Sequence, residues 1–183
     1  SNNSGQTNVP AYMVGVKALA AGENHSVALK ITGTVVAWGD NGRGQTSVPS
    51  GLSGVTSIAA GSSHTVALKS DGTVVAWGSD IYGQTTVPAG LSGVKAIAAG
   101  SNHTVALKTD GTVVAWGRSD FGQTKIPSGL SGVKAIAAGA NHTVALREDG
   151  TVVSWGDNGQ GQTTIPSGLV GVTSITAGGN HTM

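Results

Sequence analysis

Residues 94–117 read VKAIAAGSNHTVALKTDGTVVAWG, and three short segments of this stretch have strand character: VKAIAAG, HTVALK and TVVAWG. Each is rich in Val, Ile, Leu and Ala, and each is bounded by glycine or a polar turn. Val113, Val114, Ala115 and Trp116 are apolar in succession, the pattern of a strand covered on both faces. Asp110-Gly111 joins the second segment to the third, as do Asp71-Gly72 and Asp149-Gly150 elsewhere. That dipeptide predicts a two-residue type I′ hairpin, whose turn positions both need positive φ; Thr32-Gly33 is an imperfect copy.

Working outward from this stretch, the same pattern recurs every 39 residues. His stands at 25, 64, 103, 142 and 181, Trp at 38, 77, 116 and 155, and Pro at 10, 49, 88, 127 and 166. Gly-Gln-Thr begins at Gly5, Gly44, Gly83, Gly122 and Gly161 with no insertion or deletion. One unit is GQTTVPAGLSGVKAIAAGSNHTVALKTDGTVVAWGRSDF, residues 83–121. GQTTVP is expected to supply a fourth, outer strand, because an edge strand tolerates Pro88 on its free side.

Stacking such sheets face to face covers both faces of every strand. Ala98, Ala99 and Gly100, small in a row, suit the strand nearest a crowded axis, and Trp116 suits the wider gap between neighbouring sheets. Radial repetition of this kind is a β-propeller; β-helix coils have shorter periods. The fold class is therefore all-β, a propeller or an open arc of one, made of 39-residue four-stranded blades. Residues 1–183 form one tandem array of about 4.7 repeats, expected to be incomplete at both ends, with open blade edges able to pair with a second copy.

Composition agrees and narrows the function. Thirty glycines imply many tight turns, while the 4% aromatic content leaves the core to aliphatic side chains. Ten Lys and Arg balance nine Asp and Glu, and no stretch concentrates either sign, so nucleic acid and anionic membranes are not expected partners. No run of about 18 apolar residues exists to span a membrane. The absence of cysteine removes disulfides, thiolate metal sites and cysteine nucleophiles.

The pairs Ala-Gly, His-Thr, Ala-Leu, Asp-Gly and Trp-Gly in AAGSNHTVALKTDGTVVAWG resemble the repeats of the regulator of chromosome condensation superfamily of propellers, and the resemblance covers the whole chain. The short linker GQTTVPAGLSGV is similar to that of the secreted bacterial β-lactamase-inhibitory members. Their likeness implies a propeller that binds a β-lactamase or a penicillin-binding protein through aromatic loop residues, and an extracellular or cell-surface location. The two positions before each His depart from that pattern: Glu23-Asn24, Ser62-Ser63, Ser101-Asn102, Ala140-Asn141 and Gly179-Asn180 contain no aromatic residue.

Candidate chemistry reduces mostly to architecture. Histidines repeated on stacked sheets lie about 10 Å or more apart and cannot converge on one metal ion; each imidazole is expected to bond a neighbouring carbonyl. Asp40-Asn41-Gly42 and Asp157-Asn158-Gly159 open like calcium loops, yet Gly51 and Gly168 stand where a bidentate Glu is required. Gly42-Arg43-Gly44 opens no helix and so makes no phosphate loop. The sequons at Asn24, Asn102, Asn141 and Asn180 recur at a fixed strand entry and read as part of the fold. No nucleophile, base and orienting group gather in one unit, so neither an enzyme nor a cofactor is expected.

Function should instead show where the repeats differ. The loop after Trp-Gly reads DNGR (40–43), SDIY (79–82), RSDF (118–121) and DNGQ (157–160). Arg43, Ile81, Tyr82, Asp120, Phe121 and Gln160 are therefore the candidate partner-binding residues, with Tyr and Arg typical of interfaces. The five His and four Trp are structural. The reading is a non-catalytic scaffold for a protein partner, with self-assembly into a ring, filament or surface layer, and inhibition of a β-lactamase or penicillin-binding protein, as alternatives.

Overall fold

Each full repeat in the computed structural model, which describes residues 2–183, forms one antiparallel three-stranded sheet. β1 (Val16–Ala21), β2 (His25–Lys30) and β3 (Val35–Gly39) make the first blade; β4 (Val55–Ala60), β5 (His64–Lys69) and β6 (Val74–Gly78) the second. β7 (Val94–Ala99), β8 (His103–Lys108) and β9 (Val113–Gly117) make the third; β10 (Val133–Ala138), β11 (His142–Arg147) and β12 (Val152–Gly156) the fourth. In the fifth repeat, Ala177 and Thr182 make an isolated antiparallel bridge, at the place where Ala99 pairs Thr104 in the third.

The core lies between blades. Val27, Leu29 and Val35 of the first blade pack against Val55, Ala67 and Trp77 of the second. Leu68 of the second blade meets Val94, Ala106 and Trp116 of the third, and Val105, Leu107 and Val113 of the third meet Val133, Ala145 and Trp155 of the fourth. Along each middle strand Leu thus faces the following blade, while the adjacent Ala faces the preceding one and leaves room there. This two-sided burial explains why the strands do not alternate apolar with polar. Truncating one of the buried tryptophans would cost about 3–5 kcal/mol.

Two expectations are corrected. The Asp-Gly hairpins are not type I′, since among the described residues only glycines have positive φ. Lys69 N bonds Thr73 O at 2.9 Å and Gly72 N bonds Lys69 O at 3.0 Å, so the loop is the three-residue form, a type I turn followed by Gly72 at φ 78°. Asp71 favours it by accepting from both the backbone N (3.0 Å) and the Oγ1 (2.6 Å) of Thr73, an Asx contact to the residue two positions on.

The second correction concerns GQTTVP, which is not a fourth strand. Residues 84–88 join no ladder and are folded by short turns, Thr86 N to Gly83 O at 3.2 Å and Val87 N to Thr85 O at 3.0 Å. The two carbonyl oxygens of Gln84 are satisfied differently. Gln84 O accepts Thr104 Oγ1 (2.8 Å) and Trp116 Nε1 (3.0 Å) from the next blade, and Gln84 Oε1 accepts Tyr82 N at 2.9 Å.

The chain direction within a blade sorts the loops onto two faces. The turn from inner to middle strand and the loop after Trp-Gly share one face, tied by Ser79 N to Ser63 O at 2.8 Å. The Asp-Gly hairpins and the starts of the inner strands share the other, tied by Val94 N to Gly72 O at 3.1 Å. Around the axis, the first face carries a chain of backbone bonds from loop to loop: Ser62 N to Ser101 O (3.0 Å), Ser101 N to Ala140 O (3.1 Å) and Ala140 N to Gly179 O (3.0 Å). Those loops and the small residues Ala60, Ala99 and Ala138 line an axial opening of about 430 Å³, as the Ala-Ala-Gly run predicts.

Candidate functional site

The repeated histidines begin the middle strands and are fully buried in the four complete blades. His64 Nε2 lies 3.1 Å from Thr104 Oγ1 of the next blade, and Thr104 gives its single hydroxyl proton to Gln84 O at 2.8 Å. The hydroxyl can then only accept from the imidazole, which fixes His64 as the Nε2–H tautomer. His25 with Thr65 (3.0 Å), His103 with Thr143 (3.1 Å) and His142 with Thr182 (3.1 Å) repeat the arrangement. The partner is thus a hydroxyl of the next blade, not the carbonyl expected from sequence, and His181 is exposed.

Nδ1 of His25, His64, His103 and His142 is buried with no hydrogen-bond partner. A proton added there would be a buried charge without an acceptor. Burial accordingly lowers the pKa of all four, with neighbouring imidazoles adding to the effect at His64, which falls to about 4, and at His103, which falls to about 3. Gly61 is a close-approach glycine: a Cβ there would overlap the His64 ring and Gly100 O. Among the described residues no group of three or more His, Asp or Glu could hold a metal ion.

Trp77, Trp116 and Trp155 are buried and donate Nε1 to Gln45 O (3.0 Å), Gln84 O (3.0 Å) and Gln123 O (2.9 Å). Trp38 is half-buried and its Nε1 has no partner. One linker carbonyl therefore clamps a threonine and a tryptophan of the following blade. These residues build the scaffold.

The variable loops make a different kind of site. Ile81, Tyr82 and Phe121 remain 62%, 45% and 47% exposed, although the loops beneath them are rigidly bonded. Asp80 Oδ1 accepts Thr85 N at 2.8 Å and Thr86 N at 3.1 Å, while Gln84 and Gln123 accept the backbone N of Tyr82 (2.9 Å) and Phe121 (3.0 Å). The Arg118 guanidinium lies over both aromatic rings, 5.0 Å from the Tyr82 centroid and 5.9 Å from that of Phe121. Asp120 Oδ2 accepts from Arg118 Nε at 2.7 Å.

The structure thus brings Tyr82, Asp120 and Phe121 from two adjacent blades into one group, with Ile81 beside Tyr82. Arg118, its linking residue, was not singled out by the sequence reading; the signal was its charge at a position where the other loops carry Asp or Ser. Arg43 and Gln160 sit exposed on the first and fourth loops without bonding to this group. Gln160 lines an apolar cleft of about 420 Å³ with Ile165, Leu169 and Ile175.

Comparison with solved structures places this geometry among known propellers. Prp20p of Saccharomyces cerevisiae, in a structure described with its binding to Gsp1p and histones, superposes with a TM-score of 0.80 at 22% identity over 95% of this chain and 56% of its own. Human WBSCR16 gives 0.76 at 21% identity, covering 95% and 58%. The ectodomain of the Physcomitrella patens receptor kinase CR4 gives 0.68 at 26% identity, covering 96% and 49%. The chain spans about half the length of these structures. Among curated proteins none matches it. The regulator of chromosome condensation (RCC1) repeat profile matches residues 16–45, 55–84, 94–123 and 133–162, each running from an inner strand through the His-Thr and Trp-Gly strands to the linker glutamine. With four matched copies covering most of its length, the chain belongs to the regulator of chromosome condensation repeat family.

Proposed function

We propose that this chain is a non-catalytic propeller module that captures a protein partner on its loop face, with Tyr82 and Phe121 as anchors. The observation that carries the reading is three large apolar side chains, Ile81, Tyr82 and Phe121, held exposed on neighbouring loops and ordered by Arg118. Holding aromatic rings in place before binding removes part of the ordering cost that association otherwise incurs, and buried aromatic and Arg residues carry most interface energy. Asp120 fixes the guanidinium; Arg43 and Gln160 extend the surface to the flanking blades, and the turns before each His form its inner rim. Protein binding by the yeast relative is consistent with such a role.

The experiment is alanine substitution at Tyr82 and at Phe121, followed by titration of a partner captured by the intact chain. Each is expected to weaken binding by more than about 1 kcal/mol. Unchanged affinity in both variants would remove these residues from the site.

A further inference from the structure

Charges that are evenly mixed in the sequence are sorted by the fold. On the loop face stand five carboxylates, Glu23, Asp40, Asp80, Asp120 and Asp157, against Arg43, Arg118 and Lys125, whose backbone N bonds Gly122 O at 2.9 Å beside the third loop, a net charge of −2. On the hairpin face, four cations end the middle strands, from Lys30 to Arg147, and Lys17, Lys95 and Lys134 open the inner ones; four carboxylates answer them, for a net charge of +3. The chain's net charge of +1 conceals this separation.

The two faces also differ in how their charges are satisfied. Two of the four hairpin-face carboxylates lie in ion pairs, Lys69–Asp71 at 3.0 Å and Lys108–Asp110 at 3.2 Å. On the loop face Arg118–Asp120 is the one ion pair among the described residues. Asp40 bonds Gln45 Nε2 at 2.7 Å, Asp80 bonds Thr86 Oγ1 at 2.7 Å, and Asp157 bonds Gly159 N at 2.9 Å. These neutral partners orient the carboxylates without cancelling their charge. The centre of the patch, where Asp120 neutralises Arg118, is apolar and aromatic; its surroundings are acidic.

We infer that the loop face docks a protein whose complementary surface has an apolar pocket for Ile81, Tyr82 and Phe121 and a rim of Lys and Arg. This rests on the reading of the loop face as the binding surface and adds the chemistry of the partner. Opposed charge at the rim speeds and orients encounter and disfavours acidic competitors. The apolar centre supplies residence time.

The test uses two labelled synthetic peptides with the same central Leu and Phe residues, one flanked by lysines and the other by glutamates. Each is titrated against the whole chain by fluorescence anisotropy at about 0.02 M and about 0.3 M NaCl, which differ strongly in screening length. The lysine peptide should bind at least about tenfold more tightly at low salt, and the preference should shrink at high salt.

Two triple variants locate the effect. D40S/D80N/D157S neutralises the loop face, using Ser as found at position 79 and Asn as found at positions 41 and 158 of equivalent loops. D71T/D110T/D149T makes the same change on the hairpin face, using Thr as found at position 32. Both raise the net charge equally, so only location distinguishes them. Loss of the lysine preference in the first triple alone supports the inference. Equal effects of the two triples, no binding of the lysine peptide, or equal binding of the glutamate peptide would overturn it. If the first triple abolishes the preference while Tyr82→Ala and Phe121→Ala leave binding intact, the charge inference stands and the anchor reading falls.

Discussion

Lowering the pH from 7 to 5 should cost this fold about 4 kcal/mol or more of stability, and the amount can be worked from the interblade histidines. His64 and His103 are fully buried, donate Nε2–H to a threonine of the next blade, and have an Nδ1 with no acceptor. Burial lowers their pKa values to about 4 and about 3, with His25 adding to the effect and Asp80 opposing it at His64, and with His64 and His142 adding to it at His103. The unfolded chain therefore binds protons below pH 6.5 that the folded chain refuses, and stability falls with pH until the folded pKa is reached. At pH 5 each residue is about 1.5 units below its unfolded pKa and still neutral in the fold, a loss of about 2 kcal/mol apiece. Together they remove about 4 kcal/mol, against a total of about 5–15 kcal/mol for a typical domain. His25 and His142 are shifted the same way and add to the loss. Urea unfolding at pH 7, 6 and 5, with each imidazole pKa read from its NMR titration, measures both sides of the argument. A stability unchanged between pH 7 and 5, or His64 and His103 titrating near 6.5 in the folded chain, would refute it.

Other consequences follow from the same contacts. Thr104→Val deletes the hydroxyl that accepts from His64 and donates to Gln84 O; leaving buried groups unmatched should cost about 1–3 kcal/mol, read as a shift in urea midpoint without a change in slope. Trp116→Phe keeps an aromatic ring but removes the indole bond to Gln84 O and part of the buried ring volume, and should cost at least about 1 kcal/mol by the same assay. Gly100→Ala places a Cβ against the His103 ring and Gly139 O and should destabilise by at least about 2 kcal/mol; a fully stable variant in thermal unfolding would show that the blades can separate at this contact. Arg118→Ala should leave the fold intact but increase the mobility of Tyr82 and Phe121, seen as reduced order in side-chain NMR relaxation.

The scaffold was legible because it is repeated, and the exceptions are equally physical. A 39-residue step in His, Trp and Gly-Gln-Thr could only be architecture, and the strands, small axial residues and interblade tryptophans lie where that step puts them. The outer strand was misread because tolerance of Pro88 on the free side of an edge strand permits a strand without requiring one; the bonds from Thr104 and Trp116 that hold Gln84 come from another blade and leave no local trace. The hairpin was misread because Asp-Gly fits two turn types, and the choice depends on Asp71 bonding Thr73. The His–Thr contact was encoded as a 40-residue spacing, one more than the period, and is recognisable only once the blades are known to stack. At the candidate site, Tyr82 and Phe121 stood out as departures from the repeat, but Arg118 needed the folded chain to show that adjacent loops share one cation. The charge polarity was invisible for the same reason: successive loops of one blade alternate between faces, so opposite charges mix along the chain and separate only in space.

We propose that the loop face binds a protein through Tyr82 and Phe121. It is tested most directly by calorimetric titration of a captured partner against the intact chain, Tyr82→Ala, Phe121→Ala and, as a hairpin-face control, Lys95→Ala. The account predicts losses of more than about 1 kcal/mol for each aromatic substitution and none for Lys95→Ala. Unchanged affinity at both aromatics with a loss at Lys95→Ala would contradict it and move the binding surface to the opposite face.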